Sequence, residues 1–210
     1  YGVEVKDSIT KVEALEIRNN KKLTFSNKEC CFEYRNSIFK NKLKGKVIIT
    51  SVSFKLTTKN HKLKTSYGAI KSVLEESKAF FPSIKAISNA VISIRKRKLP
   101  DPNEIGNSGS FFKNPIVSKF VFKTLQKNYP KMPFYTVEDQ YKIPAGWLIE
   151  EAGFKGKRFG NTGVHKKQAL VLVNHGNASG LEIYDLAKKI QQKIVQKFNI
   201  TLEIEVNVIH

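Results

Sequence analysis

The 210-residue sequence has little of what marks several protein classes. Its two cysteines, Cys30 and Cys31, are adjacent. Neighbouring cysteines rarely meet disulfide geometry, so we expect a reducing compartment, the cytoplasm. The longest apolar runs, such as residues 47–49 and 171–173, are far shorter than the ~18 residues of a membrane helix. We therefore expect neither disulfide bonds nor a membrane-spanning segment.

Metal-binding and common nucleotide-binding motifs are also missing. The four histidines lack His-x-x-x-His spacing, and two adjacent cysteines cannot supply a zinc tetrad, so we predict no metal site. The glycine-rich segment at residues 106–115 lacks the Gly-Lys-Ser/Thr ending of a Walker loop, which leaves open a ligand-binding loop or a tight turn before two core phenylalanines. The glycines of residues 153–163 lack the strand-turn-helix order of a dinucleotide fingerprint and favour a solvated hairpin.

Acidic residues are scarce. The sequence has 18 Asp and Glu residues and 37 Lys and Arg residues, which gives a formal net charge of +19. Such a balance favours nucleic acid or a phosphorylated ligand as partner. A general preference for lysine at tolerant surface positions explains the same excess. The basic run at residues 95–98 has no interleaved aromatic residues of the kind single-strand binders use. A solvated helix end therefore competes with a nucleic-acid contact there.

What the sequence does contain is a globular pattern, with 40% apolar and 26% charged residues. Periodicity predicts strands at residues 3–5, 9–17, 22–25, 48–56, 168–173 and 200–208. Helices are predicted at residues 67–79, 84–98, 118–129 and 179–198, with capping-box spacing at Ser26/Glu29 and Ser179/Glu182. A further short helix is predicted to start at Pro144, to run through Trp147 and to be terminated by Gly153. The strand at 48–56 should have one half-buried face. The irregular mixture predicts an α+β fold with a boundary near residues 99–103.

Six blocks of sequence follow one another in an order that resembles one enzyme family. They are residues 34–39, 98–102, 106–115, 145–150, 164–174 and 202–206. The chain is identified by them as a member of the UDP-N-acetylenolpyruvoylglucosamine reductase (MurB) family, type I. The resemblance implies residues 1–98 as a second lobe of the flavin-binding region, residues 99–200 as an α+β domain for the UDP-sugar, and residues 201–210 as a terminal strand.

The resemblance also implies a reaction. In the family, NADPH reduces a bound FAD, and the flavin then reduces UDP-N-acetylglucosamine enolpyruvate to UDP-N-acetylmuramate, a peptidoglycan precursor. By position, Ser110 matches the family's proton donor, Arg35 its carboxylate-polarising arginine and Glu205 its acidic partner. A serine hydroxyl is a weak acid that can protonate only a strongly basic, enolate-like centre, which this reaction generates. An arginine can grip a carboxylate bidentately.

Binding residues follow from the same resemblance. The positions that match the family's UDP-sugar contacts are Tyr67, Lys98, Asn114, Tyr135, Lys155 and Gln168. The positions that could touch FAD are Tyr1, Gly2 and Tyr34, together with Arg35. Part of the positive charge would then serve the substrate diphosphate.

The chain opens at Tyr1 without a methionine or a signal sequence. The family's main flavin-binding lobe lies before the residue that matches Tyr1, so we expect the C-terminal two-thirds of a reductase. We expect this part, a monomer without nucleic-acid or membrane partners, to be inactive alone or to need its N-terminal part. Two alternatives stay open: a UDP-sugar-binding remnant without redox chemistry, and a basic nucleic-acid binder.

Overall fold

A computed structural model describes residues 2–78 and 81–209, and the chain forms two compact units, Tyr1–Ile94 and Arg95–His210. Every strand pair in its three sheets is antiparallel, and helices do not alternate regularly with strands. This arrangement confirms the predicted α+β class. Across the described ranges, no helix is both long and apolar enough to cross a bilayer.

The first unit contains a three-stranded sheet of β1 (Ile9–Glu16), β2 (Lys22–Ser26) and β3 (Val47–Phe54), in the order β2-β1-β3. The predicted hairpin between β1 and β2 is confirmed, and Asn20 takes a positive φ of 56° in its turn. The strand predicted at residues 3–5 was wrong. Val5 instead begins a short 3₁₀ turn, because the N–H of Asp7 donates to the carbonyl of Glu4 at 3.1 Å.

One face of β3 is exposed, although the sequence predicted it half-buried. Ile48 is 57% exposed, Phe54 49% and Leu56, just beyond the strand, 74%. The period-two pattern located the strand correctly. Burial of that face requires a neighbour, and no described residue of this unit provides one.

Two helices follow the sheet, α1 (Ile70–Glu76) and α2 (Ile84–Lys98), the latter ending beyond the first unit. Their apolar faces form a small cluster of Ile70, Val73, Leu74, Ala90 and Ile94. α1 is shorter than predicted at its start, and the predicted end at Ala79 lies outside the described residues. The cluster confirms the apolar stripe of α2, except at Ile84, which is 52% exposed.

The second unit contains two sheets. One has four strands in the order β4-β10-β9-β8, formed by β4 (Gly106–Ser110), β8 (Arg158–Phe159), β9 (Thr162–Val164) and β10 (Val171–Asn174). The other has the order β5-β7-β6, formed by β5 (Ile116–Val117), β6 (Tyr135–Val137) and β7 (Gln140–Lys142). The predicted hairpin is β8–β9, but β9 is fully buried rather than solvated, because it lies inside the sheet. β10 starts later than predicted.

Three helices pack on these sheets: α3 (Lys119–Asn128), α4 (Ala145–Glu151) and α5 (Gly180–Phe198). Both halves of the predicted capping box are present at α5, since Ser179 and Glu182 bond reciprocally. α4 ends at Glu151, and Gly153 follows with a φ of +81°, in agreement with its predicted role as the terminator. The fully buried side chains of this unit include Phe112, Ile143, Leu148, Ile149, Leu172, Ile190, Ile194 and Leu202. They form one continuous core beneath β4 and β10.

Candidate active site

Ser110 lies at the end of β4, after a bulge. Ser110 pairs with Val171 and Asn107 with Val173, so three steps along β4 face two steps along β10. Gly109 has a φ of +72°, and its N–H donates to Oδ1 of Asn107 at 3.0 Å. A residue with a Cβ would be strained at that φ. The segment is therefore a bulged strand rather than a tight turn, and it ends in an exposed serine.

The C-terminal segment brings the backbone of Glu205 against that of Phe111, the residue that follows Ser110. The N–H of Glu205 donates to the carbonyl of Phe111 at 2.9 Å, and Phe112 forms an antiparallel bridge with Ile204. The predicted terminal strand is thus reduced to a single bridge, because the chain beyond Val206 is exposed.

A second contact holds the same register. The N–H of Lys113 donates to the carbonyl of Glu203 at 2.9 Å, and the ammonium of Lys113 forms an ion pair with the Glu203 carboxylate. Lys113 is only 22% exposed at its side chain, whereas Glu203 is 69% exposed. The ammonium of Lys113, in the glycine-rich segment, is therefore paired with a carboxylate of the terminal segment.

Asn114 and Gln168 meet at the first turn of α4. Oδ1 of Asn114 accepts the N–H of Ala145 at 2.9 Å, which leaves its Nδ2 group as the donor for a ligand. Oε1 of Gln168 accepts the N–H of Leu170 at 3.4 Å. Gly146 makes room for this amide, since a Cβ there would lie 3.2 Å from Oε1. These two predicted substrate residues are brought together by one helix.

Three other predicted substrate residues occupy more open positions. The ammonium of Lys155 pairs with Glu150 at 2.7 Å. Tyr135, in β6, is 54% exposed, and Nζ of Lys142 lies 5.5 Å from its ring centroid. Lys98 is exposed at the end of α2. These groups offer two cations and one phenol at the surface of the second unit.

In the first unit, Arg35 occupies a strained turn. Glu33 and Asn36 exchange backbone hydrogen bonds of 3.1 and 3.2 Å around it, and Arg35 has a φ of +54°. That conformation costs a residue with a side chain roughly 1–2 kcal/mol. Such strain clusters at functional sites. The guanidinium carbon lies 6.0 Å from the ring centroid of Tyr34.

Two further predicted residues of the first unit lie against each other. Gly2 has a φ of +73°, and a Cβ on it would fall 2.9 Å from Cβ of Tyr67. Any other residue would have to displace Tyr67. Tyr67 itself is 47% exposed. Tyr1 lies outside the described residues.

Two clefts in the second unit border β4. One, of about 710 Å³, is lined partly by Ser108, Phe111 and Tyr184. The other, of about 760 Å³, is lined partly by Gly109 and His165. Ser110 stands between residues that line different clefts. Sequence reasoning did not single out His165, and the only available signal was its place in the block at residues 164–174.

Metal ligands do not gather in the part of the chain that the structure describes. No group of three or more His, Cys, Asp or Glu side chains is close enough there to hold an ion. Cys30 is buried, which raises the pKa of its thiol, and Cys31 is exposed. Both are free thiols.

The fold has a counterpart among solved structures. The crystal structure of UDP-N-acetylenolpyruvylglucosamine reductase (MurB) from Thermus caldophilus matches with a TM-score of 0.57 at 21% identity, over 96% of this chain and 53% of that chain. At this identity the likeness shows a shared fold: an α+β architecture of the kind that this reductase has.

The family itself follows from sequence. The family model described as UDP-N-acetylenolpyruvoylglucosamine reductase, C-terminal domain, matches residues 101–209. Proteins named UDP-N-acetylenolpyruvoylglucosamine reductase from Flavobacterium johnsoniae and Amoebophilus asiaticus are 56% and 47% identical over 210 residues. The chain belongs to the UDP-N-acetylenolpyruvoylglucosamine reductase family. It spans 62% of the length of these two relatives.

Proposed function

We propose that the chain provides the substrate-binding and proton-donating part of an NADPH- and FAD-dependent reductase that converts UDP-N-acetylglucosamine enolpyruvate to UDP-N-acetylmuramate. The observation that carries the proposal is the pairing of the terminal segment with the glycine-rich segment, because it joins the backbone of Glu205 to that of Phe111, the residue that follows Ser110. Two residues that match the family's catalytic positions, 95 positions apart in sequence, thereby belong to segments that pair with each other. This supports a joint role in one reaction.

The chemistry assigns a task to each residue. Reduction adds a hydride to the terminal carbon of the enol ether, and negative charge builds on the neighbouring carbon and spreads into the carboxylate. Arg35 stabilises that carboxylate, since a guanidinium binds two oxygens at once. The hydroxyl of Ser110 then protonates the basic carbon, and the Glu205 carboxylate supports this proton transfer. Addition of one hydride and one proton converts the carbon–carbon double bond of the enol ether to a single bond.

The residues present fit the ring end of a flavin. Tyr34 offers a partly exposed aromatic ring beside the Arg35 guanidinium, and Gly2 offers exposed backbone. Aromatic and guanidinium groups pack well on conjugated rings. Tyr34, Gly2 and Tyr1 would therefore contact FAD, which supplies the hydride after taking it from NADPH.

The UDP-sugar would be held by the remaining predicted residues. The free Nδ2 group of Asn114 and the amide of Gln168 suit the polar atoms of the sugar or the base. Lys98 and Lys155 suit the diphosphate as point charges. Tyr67 and Tyr135 add exposed phenols. The Lys155–Glu150 pair has to open before the ammonium can serve a phosphate.

We further propose that turnover requires the part of the curated relatives that this chain does not span. A UDP-sugar-binding module without redox chemistry is the second candidate, favoured by the 62% coverage of those relatives. The exposed apolar face of β3 supports a missing neighbour, because Ile48 and Phe54 have no cover among the described residues of their unit.

The test uses the chain alone and the chain joined to the remaining segment of the Flavobacterium johnsoniae relative. We expect the joined protein to retain FAD, seen by visible absorption, and to oxidise NADPH only when the enolpyruvyl substrate is present. The chain alone should show no turnover. Turnover by the isolated chain with added FAD would refute the proposal that turnover requires the remaining segment. A joined protein that binds UDP-sugar without turnover would favour the binding module.

Replacing Arg35 with glycine should distinguish the effect of backbone strain on stability from the effect of the guanidinium on catalysis. We expect the free energy of unfolding to change by less than about 1 kcal/mol, because relief of the left-handed strain offsets the larger unfolded-state entropy of glycine. The kcat of the joined protein should fall by about 10²–10³-fold, since a charge-stabilising donor is lost.

The control for this variant is Asn20→Gly, which has a similar φ of 56° in a hairpin turn. It should leave kcat unchanged. Urea unfolding and steady-state kinetics measure both quantities. If Arg35→Gly kept wild-type turnover, the carboxylate role would have to be withdrawn.

A further inference from the structure

The larger of the two clefts, which we call the basic cleft, is not explained by the residues assigned above. Its walls are the last turn of α2 with the loop that follows, β4, and the chain between β9 and β10. Its charged side chains are Arg95, Lys96, Lys166, Lys167, Asp101 and Glu104. Four cations thus face two carboxylates. Among the described residues, none of those predicted to touch substrate or flavin lines it.

His165 lines this cleft, and its backbone is anchored to the sheet. Its backbone N–H donates to the carbonyl of Val171 at 2.9 Å, and Val171 pairs with Ser110 in the sheet. Nδ1 of His165 is buried and has no hydrogen-bond partner within the described ranges. A buried N–H without an acceptor is costly, so the ring proton belongs on Nε2. Nε2 is therefore a donor and the nitrogen left to meet a ligand.

Charge reinforces this arrangement. Burial, and then the charges of Lys167 and Lys166, lower the pKa of His165, so the ring is neutral at pH 7. Across residues 2–78 and 81–209, no carboxylate pairs with Lys166 or Lys167. Asp101 is partly engaged, since its Oδ1 accepts the N–H of Asn103 at 2.9 Å. The cleft therefore combines two lysines that have no carboxylate partner among the described residues with one neutral imidazole donor.

We propose that the basic cleft binds a phosphate group of a nucleotide, with Nε2 of His165 donating a hydrogen bond to a phosphate oxygen. Lys166 and Lys167, with Arg95 and Lys96 from α2, supply the counter-charge. Gly109, which precedes Ser110, and Val171, which pairs with Ser110, both line the cleft, so the bound phosphate lies near the proposed proton donor. The inference rests on the proposed function only for the nucleotide that carries the phosphate: the UDP-sugar or NADPH.

The first measurement is the binding of inorganic pyrophosphate to the whole chain by calorimetry. His165→Leu should weaken it by about 10- to 100-fold, since a hydrogen bond to a charged group is lost. His165→Gln, which keeps a side-chain N–H, should retain more of the affinity. Lys166→Gln with Lys167→Gln should weaken binding and flatten its salt dependence. Lys193→Gln, an exposed lysine of α5, is the matched charge control.

Nucleotide probes then distinguish the two sources. UDP-N-acetylglucosamine that loses affinity in His165→Leu identifies the substrate diphosphate. NADP⁺ that loses affinity in this variant, while NAD⁺ binds equally weakly to both proteins, identifies the 2′-phosphate of the reductant. In either case, binding should raise the pKa of His165 in an NMR titration, because a phosphate anion favours the imidazolium.

Equal affinity of the wild type and His165→Leu for pyrophosphate would overturn the inference, provided that both unfold at the same urea concentration. Displacement of pyrophosphate by a short single-stranded DNA at lower concentrations than either nucleotide would also overturn it, in favour of a nucleic-acid contact. Pyrophosphate binding that depends on His165, with no binding of UDP-sugar or NADP⁺, would retain the cleft and refute the proposed function. Equal nucleotide affinity of the wild type and His165→Leu would refute the role of the cleft and retain the proposed function.

Discussion

Replacing Ser110 with alanine is expected to lower the kcat of the joined protein by about 10²–10⁴-fold, the usual contribution of a positioned general acid. The hydroxyl is the only group lost, and the backbone of β4 is held by its pairing with Val171. Steady-state NADPH oxidation with the enolpyruvyl substrate gives kcat and KM. The KM should change little, because the substrate's main contacts lie elsewhere.

Ser108→Ala is the matched control, since it removes a second exposed hydroxyl from the same strand. Ser108 lines the other cleft and should leave kcat unchanged. Reduction of the flavin by NADPH in the absence of substrate should proceed equally in both variants. If Ser110→Ala retained most of its kcat, another group or water would have to donate the proton, and the role of the glycine-rich segment would be structural.

Replacing Phe112 with alanine is expected to cost the second unit about 3–5 kcal/mol of unfolding free energy. Phe112 is 1% exposed, its ring centroid lies 5.3 Å from that of Phe111, and its backbone forms the bridge to Ile204. The cavity would therefore lie directly beneath the pairing that holds Glu205. Urea unfolding should show a lower midpoint at an unchanged slope.

Phe120→Ala removes the same atoms from α3, where the side chain is 81% exposed, and should change the unfolding free energy by less than about 0.5 kcal/mol. Equal destabilisation by the two substitutions would contradict the core position of Phe112. A further expectation is that Phe112→Ala lowers kcat even where the protein is folded, because the register of residues 203–205 loosens. Activity measured below the unfolding midpoint separates these effects.

Local signals in the sequence located most of the elements. The capping box at Ser179 and Glu182, the Asn turn between β1 and β2, and the cationic last turn of α2 depend on neighbours within a few residues. Their interactions are complete within one turn or one hairpin. For that reason they could be predicted, whereas the start of α1 differed by three residues from the prediction.

Burial was predicted less well. The alternation in β3 correctly indicated a strand, yet Ile48 and Phe54 are exposed. β9 shows the opposite case, since Thr162 is 3% exposed in a hairpin predicted to be solvated. Alternation reports which side chains share a face, but only the neighbouring element decides whether that face is covered.

The sequence by itself determined the α+β class, the family and the identities of the residues proposed for proton donation and substrate binding. Tertiary structure decided which of them meet. Glu205 pairs with Phe111, the neighbour of Ser110, and Asn114 and Gln168 converge on α4. The orphaned nitrogen of His165 also became visible only there. The reason is physical: covalent neighbours set local conformation, whereas long-range pairing and burial depend on the whole packed chain.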